Sequence, residues 1–177
     1  MAARRRIVAA GGIRIGLARG FEREAERLTP AGHPMRDASG VPIVDLVTDL
    51  PASERFFTGG DTSVRGFARD SLGDAGTLDP NGFPTGGNAL AVMNAELRAP
   101  LWRDLGGVVF VDAGNVFRRV GDFDVGAMRA SAGFGFRYKS PVGPVRVDFG
   151  FRLGSRRGVP DASEPRYAIH FSIGQAF

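Results

Sequence analysis

Apolar and polar residues alternate with period two through much of this chain. From residue 129 the odd positions Arg129, Ser131, Gly133, Gly135, Arg137 and Lys139 are polar or small, while Ala130, Ala132, Phe134, Phe136 and Tyr138 are apolar. Between residues 145 and 153 the split sharpens: Val145, Val147, Phe149, Phe151 and Leu153 stand against Arg146, Asp148, Gly150 and Arg152. The last run sets Tyr167, Ile169, Phe171, Ile173 and Phe177 against Ala168, His170, Ser172 and Gly174. Successive side chains of a strand leave opposite faces of a sheet, so a period of two predicts strands. Three more follow from the same reading. Arg6 to Arg19 offers Ile7, Ile13, Ile15 and Leu17 to one face and Arg14 and Gly16 to the other. Gly87 to Leu101 separates Asn88, Asn94, Glu96 and Arg98 from Ala89, Ala91, Met93, Ala95 and Leu97. Leu105 to Phe117 places Phe110, Asp112 and Gly114 opposite Val109, Val111 and Ala113.

A soluble sandwich would bury the apolar face and wet the other. The connections favour a membrane barrel instead. Lys139-Ser140-Pro141-Val142-Gly143-Pro144 reads as a tight turn of the periplasmic kind, whereas Arg118 to Gly126 and Gly154 to Pro165 read as longer, polar outward loops. Strands of ten to twelve residues, tilted by about 40°, cover roughly the 25 Å apolar band of an outer membrane. The expected fold is therefore all-β: an antiparallel transmembrane β-barrel fragment of about six strands. Eight is the usual minimum for a closed membrane barrel, and open edges in lipid are not viable. The six strands must join others. Residues 20–86 lie between the first and second strands as one long loop, and loops of that length are usually functional. Phe21 to Leu28 reads as a short charged helix at its start.

Composition changes this picture little. Gly at 26 of 177 residues is about twice the usual share and argues against a mainly helical chain. No stretch reaches the roughly 18 apolar residues of a membrane helix, but alternating barrel strands keep hydropathy low in any case. The net charge is +4, from 22 Arg and one Lys against 19 acids. The arginines are scattered among glycines and aromatics rather than gathered on a helical face, so no nucleic-acid partner is expected. Cysteine is absent, which excludes a disulfide framework and a thiolate metal site. No apolar run follows Arg4-Arg5-Arg6 as an export signal would require, so the chain reads as the C-terminal part of a longer precursor or a gene model missing its start.

The most informative stretch is Glu54-Arg55-Phe56-Phe57-Thr58-Gly59-Gly60-Asp61-Thr62-Ser63-Val64-Arg65-Gly66-Phe67, inside the long loop. With Phe110-Val111-Asp112-Ala113-Gly114 it resembles the signature of the BamA/TamA family, bacterial surface antigen-type proteins of outer-membrane assembly and translocation. The resemblance runs from about Arg6 to Phe177 and implies that residues 1–177 are the C-terminal part of one barrel domain. About six strands of a sixteen-strand barrel would be present, with the loop 20–86 folded into the lumen. The remaining strands and the periplasmic polypeptide-transport-associated domains would lie outside this chain. It further implies that Arg65 of the motif Val64-Arg65-Gly66-Phe67 pairs with acids on the inner wall, Asp112 among them. Alternation independently puts Asp112 and Glu96 on that wall. Gly59, Gly60 and Gly66 would allow close backbone approach or positive φ. The terminal strand, with Tyr167, Ile169, Phe171, Ile173, Gly174 and Phe177, resembles the β-signal by which such barrels are recognised, and Gly174 offers a bend.

Enzyme signatures are poor. The only histidines, His33 and His170, have no HExxH, GxSxG or P-loop pattern around them. Asp70, Asp74 and Asp79 read as solvated loop acids rather than metal ligands. Neither cofactor nor metal is expected. The implied partners are outer-membrane lipid and client outer-membrane or secreted polypeptides, handled without enzymatic chemistry. Two other readings stay open from the residues: a passive porin whose lumen is lined by Arg129, Arg137, Arg146 and Arg152, and the barrel anchor of a fused patatin-type lipase.

Overall fold

The structure is a computed structural model and describes residues 6–30, 32–47, 50–74, 76–141, 143–154 and 165–174. Among the described residues eight strands occur in chain order: β1 (Val8–Leu17), β2 (Arg23–Glu26), β3 (Val44–Val47), β4 (Ala89–Trp102), β5 (Leu105–Phe117), β6 (Arg129–Ser140), β7 (Gly143–Leu153) and β8 (Tyr167–Ile173). Six form one antiparallel sheet in the order β1-β4-β5-β6-β7-β8, and β2 and β3 form a separate hairpin. Sequential strands are thus neighbours, interrupted only by the inserted loop. The strand expected over Leu105 to Phe117 has those bounds, and the other five agree to within a few residues at their described ends. Phe177, expected to end the last strand, lies outside the described residues.

Connections alternate in length. Trp102 pairs with Leu105 and Ser140 with Gly143, so both turns on that side are two residues long. The links on the opposite side are the long loop, the β5–β6 segment with its two short 3-10 turns (Val120–Asp122 and Val125–Ala127), and the β7–β8 segment. Gly174 follows β8 at φ 106°, outside the range of ordinary strand residues, while its N–H still donates to the Pro144 carbonyl at 2.9 Å.

The two faces of the sheet are inverted relative to a soluble protein. Asp112, Ser131 and Asp148 are fully buried, whereas Ile13, Ile169 and Phe171 are more than half exposed. Cross-strand pairing organises the exposed face: Phe134 opposes Phe149, and their rings stack with centroids 5.2 Å apart. The buried apolar core lies on the other side, where Val64, Phe67 and Leu72 of the loop pack on Leu90, Val92 and Val116 of β4 and β5. A smaller cluster sits at the loop end, where Ala127 and Met128 cover Ala89, Ala91 and Phe117. Such a sheet needs lipid outside and its own loop inside.

The short helix expected over Phe21 to Leu28 is not formed; these residues enter the β2–β3 hairpin. An isolated helix of two turns is marginal, and nothing here gives it an apolar face to bury. Turn chemistry decides instead. Thr29, Asp37 and Asp79 each begin a five-residue reversal with glycine fourth, and Gly32, Gly40 and Gly82 all have φ of 81–85°. In each, the first residue's side-chain oxygen accepts the fifth residue's N–H: His33 at 3.2 Å, Val41 at 2.9 Å and Phe83 at 2.7 Å. This is the three-residue hairpin loop with left-handed glycine. The first two reversals bring Arg27 back to Asp45, which it holds through two bonds of 2.6 and 2.8 Å.

The exposed aromatic face generates a test. Phe134→Arg, at the middle of β6, should lower the unfolding free energy of the full barrel in lipid vesicles by about 2–4 kcal/mol. A loss below about 0.5 kcal/mol, ordinary for a surface position, would place this face in water.

Candidate functional site

The long loop returns across the inner face of the sheet and seats Val64-Arg65-Gly66-Phe67 against it. Its approach is set by Gly59 and Gly60, at φ 113° and 102°, which only glycine adopts readily. The Ser63 hydroxyl accepts the Gly59 N–H at 2.9 Å and closes the turn. Phe56 pairs with Gly87 through two backbone bonds at the loop's neck, so both ends of this segment are fixed before the motif begins.

Arg65 is the centre. Its Nε and Nη2 donate to the two carboxylate oxygens of Asp112, each at 2.8 Å, and its Nη1 donates to Glu96 Oε2 at 2.8 Å. The Arg65 backbone N–H also reaches Asp112, at 3.1 Å. Its guanidinium carbon lies 3.6 Å from the centroid of Phe110. A planar fork can serve two carboxylates and an aromatic face at once, which an ammonium cannot. Glu96 is shared with the more exposed Arg98, and Asn94 donates to Asp112 at 2.8 Å and to the Ser63 carbonyl at 2.6 Å. Two arginines and two acids leave the cluster neutral. The Arg65 and Asp112 side chains are 5% and 0% exposed, so removing one partner leaves a buried charge and costs about 3–5 kcal/mol.

The backbone is fixed as closely as the side chain. The Gly66 N–H donates to Ser131 Oγ on β6 at 3.1 Å, and the Arg65 carbonyl accepts from His170 Nε2 on β8 at 3.0 Å. Between them lies Gly150 of β7, where a Cβ would collide with the Arg65 carbonyl. A Cβ at Gly66 would in turn strike the Ser131 side chain. These two glycines let loop and wall meet backbone to wall. Phe67 packs in the apolar core under the Arg129 guanidinium, 4.6 Å from its ring centroid. A second ion cluster lies further along the wall. Arg137 and Arg146 both bind buried Asp148, and Arg146 also donates to the Asp61 carbonyl at 3.3 Å.

The structure therefore brings together Gly59, Gly60, Val64, Arg65, Gly66, Phe67, Glu96 and Asp112. Of the terminal-strand residues, Tyr167, Ile169, Phe171 and Ile173 form the exposed face of β8, away from the loop, and Gly174 ends it. Asp74 and Asp79, among the loop acids, accept backbone N–H groups within their own turns. Sequence reasoning did not single out Asn94, Phe110, Ser131, Asp148, Gly150 or His170 as contacts of the motif or its support. All six occupy inward positions of the period-two pattern. The pairs Asn94–Asp112 and Asp112–Ser131 face each other across neighbouring strands, so inward residues at one level were the available signal.

An inside-out antiparallel sheet whose polar face holds a loop through a buried arginine has the architecture of a membrane β-barrel segment. Residues 10–177 match the Omp85 superfamily domain, and the chain belongs to that superfamily. Outer membrane protein assembly factor BamA of Nitratidesulfovibrio vulgaris is 33% identical over 146 residues, covering 80% of this chain and 18% of that protein. Outer envelope protein 39, chloroplastic, of Arabidopsis thaliana is 30% identical over 120 residues, covering 59% of this chain and 28% of that one. The crystal structure of BamA from Haemophilus ducreyi lacking POTRA domains 1-3 shares the fold, with a TM-score of 0.53 at 24% identity over 73% of this chain and 28% of that one. The chain thus spans less than a third of the length of each. It is a segment of a bacterial-type outer-membrane β-barrel.

Contact between Gly150 and the Arg65 carbonyl can be tested with one methyl group. Gly150→Ala should destabilise the barrel by about 1–3 kcal/mol, the usual cost of overpacking. Gly12→Ala on β1, where a Cβ meets nothing within 4 Å, should not. Urea unfolding of the two variants in lipid measures the difference, and equal losses would deny the contact.

Proposed function

We propose that this chain is the C-terminal part of a barrel that inserts or translocates client polypeptides at the outer membrane, without enzymatic chemistry. In this reading residues 1–177 belong to one barrel domain, and residues 20–86 are the loop inserted into its lumen. The observation that carries it is the buried bridge from Arg65 to Asp112 and Glu96. A passive wall has no use for an arginine desolvated at that cost, whereas a machine that must hold one loop in one register does. The name of the Nitratidesulfovibrio vulgaris relative, an outer membrane protein assembly factor, supports the same class.

The proposed mechanism is strand addition. Among the described residues β8 pairs only with β7, and its outer edge carries backbone donors and acceptors that a client strand can complete. The seated loop keeps the wall ordered beside that edge while the strand beyond it exchanges. The terminal residues Tyr167, Ile169, Phe171, Ile173, Gly174 and Phe177 would supply the edge and the recognition signal for assembly. The porin reading draws less support, because Arg137 and Arg146 are engaged by Asp148 and the loop covers the wall.

Arg65→Ala in the full-length protein should lower client insertion into proteoliposomes at least tenfold, for a loss of about 3–5 kcal/mol in loop seating. Arg69→Ala, in the same loop with a side chain 91% exposed, should leave it unchanged. Equal effects from both would remove the basis of the reading. In planar bilayers the wild-type barrel should show low, intermittent conductance; a large, steady, anion-selective pore would favour the porin.

A further inference from the structure

His170 contacts the motif from β8, the last described strand. Its Nε2 lies 3.0 Å from the Arg65 carbonyl, and that oxygen can only accept, so the ring donates. The same Arg65–Gly66 peptide group donates through Gly66 to Ser131 on β6. It passes over Gly150 of β7, which has no side chain to hold it away. One peptide group of the loop therefore ties β6 to β8 across the intervening strand. Among the described residues β8 pairs in the sheet with β7, along a seven-residue ladder. That ladder is the shortest of the sheet among the described residues, against ten to thirteen pairs between the other neighbours, so a bond from outside it has a large share in the strand's order.

We propose that His170 is a positioning residue that couples loop seating to the order of β8: with the motif seated the strand is pinned, and with it displaced the strand is released. The coupling follows from where the bond sits. The accepting atom belongs to Arg65 itself, so the ion pairs with Asp112 and Glu96 fix its position to within a side-chain length. The donor stands opposite Asp148 in the β7–β8 register, at the middle of the strand rather than at a frayed end. Movement of the loop is thereby transmitted to β8. The functional meaning rests on the strand-addition reading above; the physical coupling does not.

Hydrogen exchange of the full-length protein in lipid nanodiscs, followed by mass spectrometry, tests it. His170→Leu removes the donor at similar volume and should speed exchange of the β8 amides that donate to β7 about fivefold or more, the worth of one hydrogen bond. Exchange in β4 and β5 should stay as in the wild type. His170→Gln, whose amide nitrogen falls near the place of Nε2, should restore wild-type exchange. If His170→Leu does not assemble, Gln is compared with His170→Asn, whose amide is one bond short and should show the increase. Unchanged β8 exchange in the Leu variant, or equal exchange in Gln and Asn, overturns the coupling. The outcome is separable from the function: altered β8 exchange with normal client insertion in Arg65→Ala would keep the coupling and discard the strand-addition reading. Impaired insertion in Arg65→Ala with β8 exchange unmoved by His170→Leu would do the reverse.

Discussion

The rest of this structure depends on a guanidinium taken out of water. Arg65 carries a full charge into a site where its side chain is almost wholly covered, and the position is tenable because each of its three guanidinium nitrogens donates to a carboxylate. Desolvation of such a group costs several kcal/mol, offset only where geometry is good and the lone pairs opposite are also satisfied. Asn94 and Arg98 complete that second requirement at Asp112 and Glu96. The charge therefore acts as a register device. Any shift of the loop by one residue would bury an unpaired ion, so a single seating is strongly preferred.

From that constraint the composition of the wall follows. A loop held backbone to wall needs wall positions without side chains, and Gly114, Gly133, Gly135 and Gly150 all occupy the inward face of β5, β6 and β7. At Gly133 a Cβ would enter the Phe110 ring, and at Gly114 it would crowd Val64. The high glycine content that first argued against helices thus has a specific use. It makes room for the arginine, the phenylalanine beneath it and the peptide group above. The outer face shows the complementary economy: aromatics and branched aliphatics sit where lipid replaces a second protein layer.

Much of the fold was legible because a barrel strand writes its two environments directly into the chain. Leu105 to Phe117 shows its inward face through Asp112 and Gly114, and its bounds came out unchanged. Segments without a single dominant environment were harder to read. Phe21 to Leu28 carries charge at helix-compatible spacing, and nothing local shows that Thr29, Asp37 and their glycines will reverse the chain and supply a strand partner. Within the site, Arg65 and Asp112 stood out through the family resemblance, and alternation put Asp112 and Glu96 on the inner wall. Ser131, Gly150 and His170 did not, since a serine, a glycine and a histidine on a polar face have many ordinary uses.

By itself the sequence determined the faces of the sheet, the strand order along the chain and the side of the wall on which Asp112 and Glu96 stand, because period two is a local property of the backbone. The tertiary structure decided which residues share a level across neighbouring strands, and how a loop entering between β1 and β4 lies over β5 to β8. Those depend on register and on the path of a long insertion, both set by contacts distant in sequence. The bond from His170 to the Arg65 carbonyl, joining residues 105 apart, is of that kind: it uses a backbone oxygen that every residue has, so only the folded chain could select it.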